Sequence, residues 1–291
     1  MSFEVVIASG KGGTGKTFIS SNLSYFLYTI GVEAIAVDAD VEAPDLLLAL
    51  GGVKEVLWRE EFKGQTIEIN YDTCVKCGAC IKACRFNALK MEDIGPVVDY
   101  ALCEGFGTCM LVCPTASISF KPVKRGELYA AKSKSEVLVV TGDLDVGEKN
   151  SGLLVYNLKK RAREYNAEVL VVDAAPGIGC PVISSLAGAN LLIVVVEPSP
   201  QSVKGASRLL KLAEKLKIES LAVLNKYDLN PSFAEKIEQN LKCEIVGEIG
   251  YDEKVVESYT SMTPLLKMYP KARISKNLVG IFRKIRERLS I

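Results

Sequence analysis

Histidine is absent from all 291 residues. That removes imidazole general acid–base catalysis, histidine metal ligation and any nucleophile triad built on imidazole. Long apolar runs are missing too: the longest, such as Leu191 to Val196, fall far below the roughly 18 residues that a membrane-spanning helix needs. No segment is expected to cross a bilayer. The chain enters an apolar strand, Phe3 to Ala8, without the basic start, hydrophobic core and small-residue cleavage site of a secretory signal, and a cytoplasmic protein is expected. Nor does charge of either sign dominate. With a net charge of +1 and no concentrated basic excess, nucleic acid is not an expected partner.

What the chain does contain is 48% hydrophobic residues, enough to bury one large core and a smaller one. Apolar runs of strand length recur at Phe3 to Ala8, Ala34 to Val37, Val137 to Val140, Val169 to Val172, Leu191 to Val196, Leu221 to Leu224 and Ile245 to Ile249. They lack polar alternation, as parallel strands covered on both faces do. Helix-patterned stretches follow many of them: Phe18 to Tyr28, Gly152 to Tyr165, Ser202 to Leu216 and Ser232 to Leu241. The pattern predicts a doubly wound, mainly parallel α/β sheet. Its rhythm breaks between about Phe62 and Lys121, where short strand-like pieces, Thr66 to Asn70 and Ser117 to Phe120, flank a cysteine cluster. We read residues 63–121 as an inserted domain with a two-fold internal repeat, residues 1–62 and 122–291 as the two parts of the larger domain, and the basic stretch Lys121 to Lys134 as a solvated connector.

Gly10-Lys11-Gly12-Gly13-Thr14-Gly15-Lys16-Thr17 fits G-x-x-x-x-G-K-[ST] between a predicted strand and a predicted helix. Glycines there let backbone N–H groups turn onto phosphate oxygens. The helix start adds partial positive charge, Lys16 neutralises the terminal phosphates, and the Thr17 hydroxyl can ligate Mg²⁺. Asp38 and Asp40, in Val37-Asp38-Ala39-Asp40, and Asp173, in Val172-Asp173-Ala174-Ala175-Pro176-Gly177, stand at the ends of strands, where metal and attacking water must be held; a helix cap is the alternative for each. Asn225-Lys226-Tyr227-Asp228 matches N-K-x-D, a pattern seen in GTPases, so GTP stays open beside ATP.

Lys11-Gly12-Gly13 resembles the deviant Walker A of the MinD/ParA superfamily, which also includes the nitrogenase iron protein and Mrp-type iron–sulfur carriers. The resemblance continues through the segments of Asp38 and Asp173 and covers nearly everything outside the insert. It implies an ATPase that closes as a nucleotide-sandwich dimer, a homodimer or a heterodimer with a related chain. In it, Lys11 would reach the partner's nucleotide, Asp40 would orient or activate water, Asp38 and Asp173 would support Mg²⁺, and Asn225, with Asp228, would contact the base.

Seven of the nine cysteines lie between Cys74 and Cys113. In a cytosolic chain they read as metal ligands rather than disulfides. Cys74-x2-Cys77-x2-Cys80-x3-Cys84 resembles the bacterial ferredoxin run, in which the fourth cysteine serves the other cluster. Zinc is the alternative. In the second motif Phe106 stands where a ferredoxin has its second cysteine, between Cys103 and Cys109, with Cys113 following. The resemblance then implies a complete 4Fe–4S site from Cys74, Cys77, Cys80 and Cys113, and an incomplete one from Cys84, Cys103 and Cys109. The latter would carry a 3Fe–4S cluster, a labile 4Fe–4S cluster with an open iron completed by water or Glu104, or nothing.

Cys180 is offset from Asp173 like a cluster-ligating cysteine of the nitrogenase iron protein, but we read it, like Cys243, as a core residue. The stripe Ile274, Leu278, Ile281, Phe282, Ile285 and Leu289 reads as a terminal helix packed on the sheet rather than on a membrane. Together these features predict a MinD-like ATPase with an inserted ferredoxin domain, working with a redox or apo-protein client in electron transfer or in cluster assembly and delivery. Spatial positioning with a structural or regulatory cluster is the rival.

Overall fold

Strand-length apolar runs with no polar face can be buried only in the middle of a covered sheet, and that is where the chain puts them. The computed structural model describes residues 2–289, the side chain of Glu238 apart. Met1, Ser290 and Ile291, the ends of the expected first and last segments, lie outside the described residues. The strands are β1 (Phe3–Ala8), β2 (Ala34–Ala39), β3 (Val53–Ile69), β4 (Leu89–Glu92), β5 (Gly95–Val98), β6 (Ile118–Ser133), β7 (Leu138–Leu144), β8 (Val169–Ala174), β9 (Leu191–Val196), β10 (Glu219–Asn225) and β11 (Glu244–Ile249). Nine of them form one sheet in the order β11-β10-β9-β1-β8-β2-β7-β6-β3, parallel from β11 to β7. Every residue of β8 and β9 is buried.

The chain divides into two compact units. The first comprises residues 1–59, 128–143 and 151–291. On one face of its sheet, the helix Lys16–Thr29 supplies Phe18, Ile19, Leu23, Phe26 and Leu27 to a core shared with β1, β8 and β9. The terminal helix Arg273–Arg288 buries Ile274, Leu278, Ile281, Phe282 and Ile285 in the same core, the packed arrangement its stripe predicts. The Phe26 and Phe282 rings meet with centroids 5.8 Å apart. Each such side chain contributes about 1.5–3 kcal/mol on burial, so this layer holds the sheet that positions the site. Because β1 lies between β8 and β9, and β8 between β1 and β2, the carboxyl ends of β1, β2 and β8 stand side by side, with Asp38 and Asp173 in register.

The second unit comprises residues 60–127 and 144–150, so it takes in a distant segment that the insert read from the sequence lacks. Lys121 to Lys134 is not a solvated connector. All of it but Lys134 lies in β6, where Arg125, Leu128, Ala130 and Ala131 are buried. The basic residues concealed a strand because only part of each face is covered. Within the unit β4 and β5 pair antiparallel, and the short helices Ala79–Ala83 and Thr108–Leu111 pack with the strands around Ile67, Cys80, Ala88, Leu89, Cys103, Cys109 and Ile118. Its backbone repeats at 29 residues. Left-handed conformations occur at Lys76, Gly78 and Asn87 and again at Gly105, Gly107 and Ala116. The side chains of Asn70 and Asp99 accept the same turn bonds, from the N–H groups of Asp72 and Ala101.

Candidate functional site

The loop after β1 takes the shape that its glycines permit. Gly13 and Gly15 lie in the left-handed region, at φ 77° and 96°, which side chains resist. Gly10 passes so close to Gly205 of the helix Pro200–Leu216 that a Cβ on Gly10 would sit 2.1 Å from the Gly205 Cα. Two residues of the N-K-x-D segment brace the loop from the end of β10. Asn225 donates its amide to the Thr14 carbonyl at 2.7 Å, and Lys226 donates to the Gly13 carbonyl at 2.8 Å. Asn225 therefore has a structural engagement that its expected role at the base did not include. Asp228 accepts the Tyr251 N–H at 2.7 Å, and beside it a cleft is lined by Tyr227, Gly250, Tyr251, Arg273 and Asn277.

Lys16 is buried at the start of its helix, and the carboxylates gather around it. Asp173 accepts the Thr17 hydroxyl at 2.6 Å and the Ser20 hydroxyl at 2.8 Å. Burial pushes its carboxyl up to about 7, against the pull of Lys16 and the two hydroxyls. Asp38 is fully buried and accepts backbone N–H groups from Asp40 and Leu46; burial and the charge of Asp173 hold its carboxyl well above the usual range. Burial raises Asp40 to about 6, again opposed by Lys16. An array of carboxylates this reluctant to ionise is short of positive charge, which is what a bound divalent cation supplies. Thr17 and Asp173 are bonded to each other beside the loop Gly12 to Lys16, while both Asp38 oxygens are already bonded to backbone N–H groups.

Residues without a motif complete the site. Glu197, just past β9, forms ion pairs with Lys11 and, at 3.5 Å, with Lys226. Burial acts to raise its carboxyl, but these lysines hold it below its ordinary value. Lys11, expected to reach a partner, is thus engaged within its own chain. Tyr259 donates to Asp45 at 2.5 Å and lies near Thr17; burial and this bond push the phenol up. No spacing rule could have found either residue, because each meets the loop only through the fold.

In the second unit the thiols sort into two recesses. One is lined by Cys74, Cys77, Cys80 and Cys113, with Ile69, Pro96 and Thr115. The other, of about 270 Å³, is lined by Cys84, Cys103 and Cys109 together with Glu104, Phe86 and Phe106. Cys113 accepts the Ser117 N–H at 3.3 Å. Although burial works against it, this and the Thr115 hydroxyl keep its thiol below the ordinary value, whereas burial raises Cys80 and Cys109. Among the described residues no three or more Cys, Asp or Glu side chains converge so as to hold a metal ion.

The two remaining cysteines are not core residues. Cys180 is exposed, since it opens a short helix, Cys180–Leu186, whose inner face is Val182, Ser185 and Leu186. Cys243 is half-buried, its thiol pushed up to about 11 by burial. Among the described residues no helix is long and apolar enough to cross a membrane.

An uncharacterized protein of Methanocaldococcus jannaschii is 32% identical over 284 residues, 98% of this chain and 96% of its own length. An uncharacterized ATP-binding protein of the same organism is 27% identical over 98% of this chain and 88% of its own. The fold is shared with the septum site-determining protein MinD of Pyrococcus horikoshii, complexed with Mg-ADP, at a TM-score of 0.61 and 17% identity, covering 98% of this chain and 96% of that one. Residues 5–265 match the CobQ/CobB/MinD/ParA nucleotide binding domain, and the chain belongs to that family.

Proposed function

We propose that this chain is an ATP-hydrolysing iron–sulfur protein, in which nucleotide-driven closure of two subunits governs a thiolate-held cluster used in electron transfer or in cluster assembly and delivery. The observation that carries the reading is the sorting of the seven thiols. Cys113 joins Cys74, Cys77 and Cys80, while Cys84 leaves its own run for Cys103 and Cys109. That exchange is how a pair of ferredoxin motifs shares its ligands. A cluster takes one thiolate at each of several corners, so its ligands line a shared recess, as each of the two groups of thiols does. All seven donors are soft sulfur, with no histidine in the chain to compete.

When bound, such a cluster supplies one-electron chemistry or transferable iron and sulfide. The chain's own residues do the rest. Lys16 and the loop N–H groups neutralise the phosphates, Thr17 and Asp173 hold Mg²⁺, and Asp40 orients the attacking water, with most of the catalysis coming from position and charge. Lys11 would leave Glu197 to meet the nucleotide of a second subunit, identical or related. The one polypeptide then carries two sites whose states are linked to the same closure.

Anaerobic purification followed by iron and sulfide analysis and turnover assays tests this. A coloured protein, whose weak ATPase responds to oxidation state, to Cys77→Ser and to a redox or apo-protein client, is expected. Colourless, iron-free protein stimulated instead by lipid or DNA would favour the rival, a positioning ATPase, which the likeness to MinD supports.

A further inference from the structure

β3 ends the nine-stranded sheet, and among the described residues no strand pairs with its outer edge. From Val53 to Glu61 the strand is exposed on both faces, with Trp58 alone half-buried. Val56 and Leu57, neighbours that point to opposite faces, are 43% and 46% exposed. An open edge with apolar side chains on both faces is a template for another strand. Charges on such an edge ordinarily blunt it. Here their order favours one partner. Counting outward from Leu57, the flanking residues are Val56 and Trp58, then Glu55 and Arg59, then Lys54 and Glu60.

Two copies of one edge strand, paired antiparallel about a two-fold axis, set residues of like parity opposite each other, because directly opposed side chains share a face. With the axis at Leu57, Glu55 meets Arg59 and Lys54 meets Glu60, each twice, and Val56 meets Trp58. An axis at Val56 would set Glu55 against Leu57 and Lys54 against Trp58. An axis at Trp58 would set Glu55 against Glu61 and Val56 against Glu60. Of the three, only the register centred on Leu57 matches opposite charges and joins apolar to apolar. The side chains are also held for it. Arg59 lies over the Tyr129 ring at 4.8 Å, and Trp58 is fixed by its bond to Tyr165 at 2.7 Å and by Arg161 stacked on it at 4.6 Å. Arg59 and Glu60 have further contacts within their own chain. Lys54 pairs with Glu136, which also holds Lys132 at 2.7 Å and keeps that partner when Lys54 turns outward.

We propose that the outer edge of β3 is a homodimer interface. A second copy of this chain adds its own β3 antiparallel, Leu57 opposite Leu57, so that the sheet continues from one copy into the other. The contact uses the same patch on both copies and therefore closes at two. It needs neither nucleotide nor cluster, and it is distinct from the nucleotide-driven closure proposed above.

Full-length, nucleotide-free protein in low salt should sediment as a monomer–dimer equilibrium that weakens as salt is added. Trp58 is the chain's single tryptophan, so its emission should move to shorter wavelength along the same concentration curve as a second copy covers it. Glu55→Arg and Arg59→Glu should each weaken the dimer about ten-fold or more, because each turns two opposite-charge pairs into like-charge pairs. Both positions are exposed, and circular dichroism checks that each variant is folded. Mixed together, the two variants should associate as tightly as the parent, since the arginines of one then face the glutamates of the other. Leu57→Lys, which sets two like charges on the axis, should be monomeric, and in that variant the association that ATP analogues induce is read by itself. A parent that stays monomeric without nucleotide, single charge variants that dimerise as the parent does, or a mixture that fails to associate overturns the inference.

Discussion

Thr17 donates its hydroxyl to Asp173 at 2.6 Å, so the hydroxyl proposed as a Mg²⁺ ligand is bonded to a fully buried carboxyl. With Asp173 raised to about 7, against about 3.9 in an unfolded chain, the native state binds more protons between those values. Its contribution to stability is therefore fully present at the acid end and is lost as pH rises through about 7. Asp40, raised to about 6, adds to the same slope. Asp38, also held well above the usual range, acts in the same direction, and the chain has no histidine to oppose them. The melting temperature of nucleotide-free protein should fall by several degrees from pH 5 to 7.5. Asp173→Asn should flatten that fall, and Mg²⁺ with a non-hydrolysable ATP analogue should reduce it in the parent. A parent curve that is level or rising would contradict the assignment.

Gly205 lies in the middle of a 17-residue helix, where alanine ordinarily gains about 1 kcal/mol over glycine. Here the sign should reverse, because a Cβ would come within 2.4 Å of the Gly10 Cα and neither backbone can retreat cheaply. Gly205→Ala should lower the melting temperature and weaken nucleotide binding about ten-fold or more by pushing the phosphate loop out of shape, a cost in the range of about 1–3 kcal/mol for overpacking. Gly280→Ala supplies the opposite case. That glycine is helical and exposed and has nothing within 4 Å of the added carbon, so this variant should be stabilised by about 0.5–1 kcal/mol. Calorimetry on both variants separates packing from propensity.

The contrast between these glycines shows which information the sequence carries locally. The phosphate loop, the strands β1 and β9 at their full extents, and the thiol repeat are legible because each is encoded by neighbours in the chain: a turn that needs glycine, a run that must be covered, a spacing of cysteines. Glu197, Tyr259 and Gly205 were not legible, since each acts on the phosphate loop or its surroundings from over 180 positions away and has no motif of its own. The segment 144–150 joined the second unit for a related reason: Glu148 and Lys149 pair with Arg125 and Glu104, contacts that no periodicity announces. Charged residues misled in β6, where Arg125 is buried by bonding to the Gln65 and Cys103 carbonyls, both at 3.0 Å. A buried, paired arginine looks, in sequence, like a solvated one.

If Lys11 must leave Glu197 before it can serve a second subunit, weakening that pair should favour closure. The two side chains are partly exposed, at 34% and 16%, so the ion pair contributes no more than about 1 kcal/mol. Glu197→Gln should accordingly shift ATP-analogue-induced dimerisation to several-fold lower protein concentration in sedimentation velocity, and the shift should shrink in high salt. Lys11→Ala should abolish the analogue's effect. A Glu197→Gln protein that dimerises at the parent's concentration, or only without nucleotide, would rule out Glu197 as the restraint.

Asn225 offers a sharper division between holding the loop and reading the base. Its amide satisfies the carbonyl of Thr14, a fully buried residue, and packs so close to Gly15 that a Cβ there would lie 2.4 Å from the amide nitrogen. Asn225→Ala leaves that carbonyl without its donor, at a cost of about 1–3 kcal/mol. The loop's shape serves phosphate whatever base is attached to it, so affinity for ATP and GTP analogues should drop together, by roughly ten-fold, with their ratio unchanged. Lys226→Met, which removes a more exposed bond to Gly13 and the 3.5 Å ion pair with Glu197, should weaken both by less. Titration calorimetry with the two analogues decides the matter. A change in their ratio on removing Asn225, with triphosphate affinity otherwise kept, would move this residue from the loop to the base.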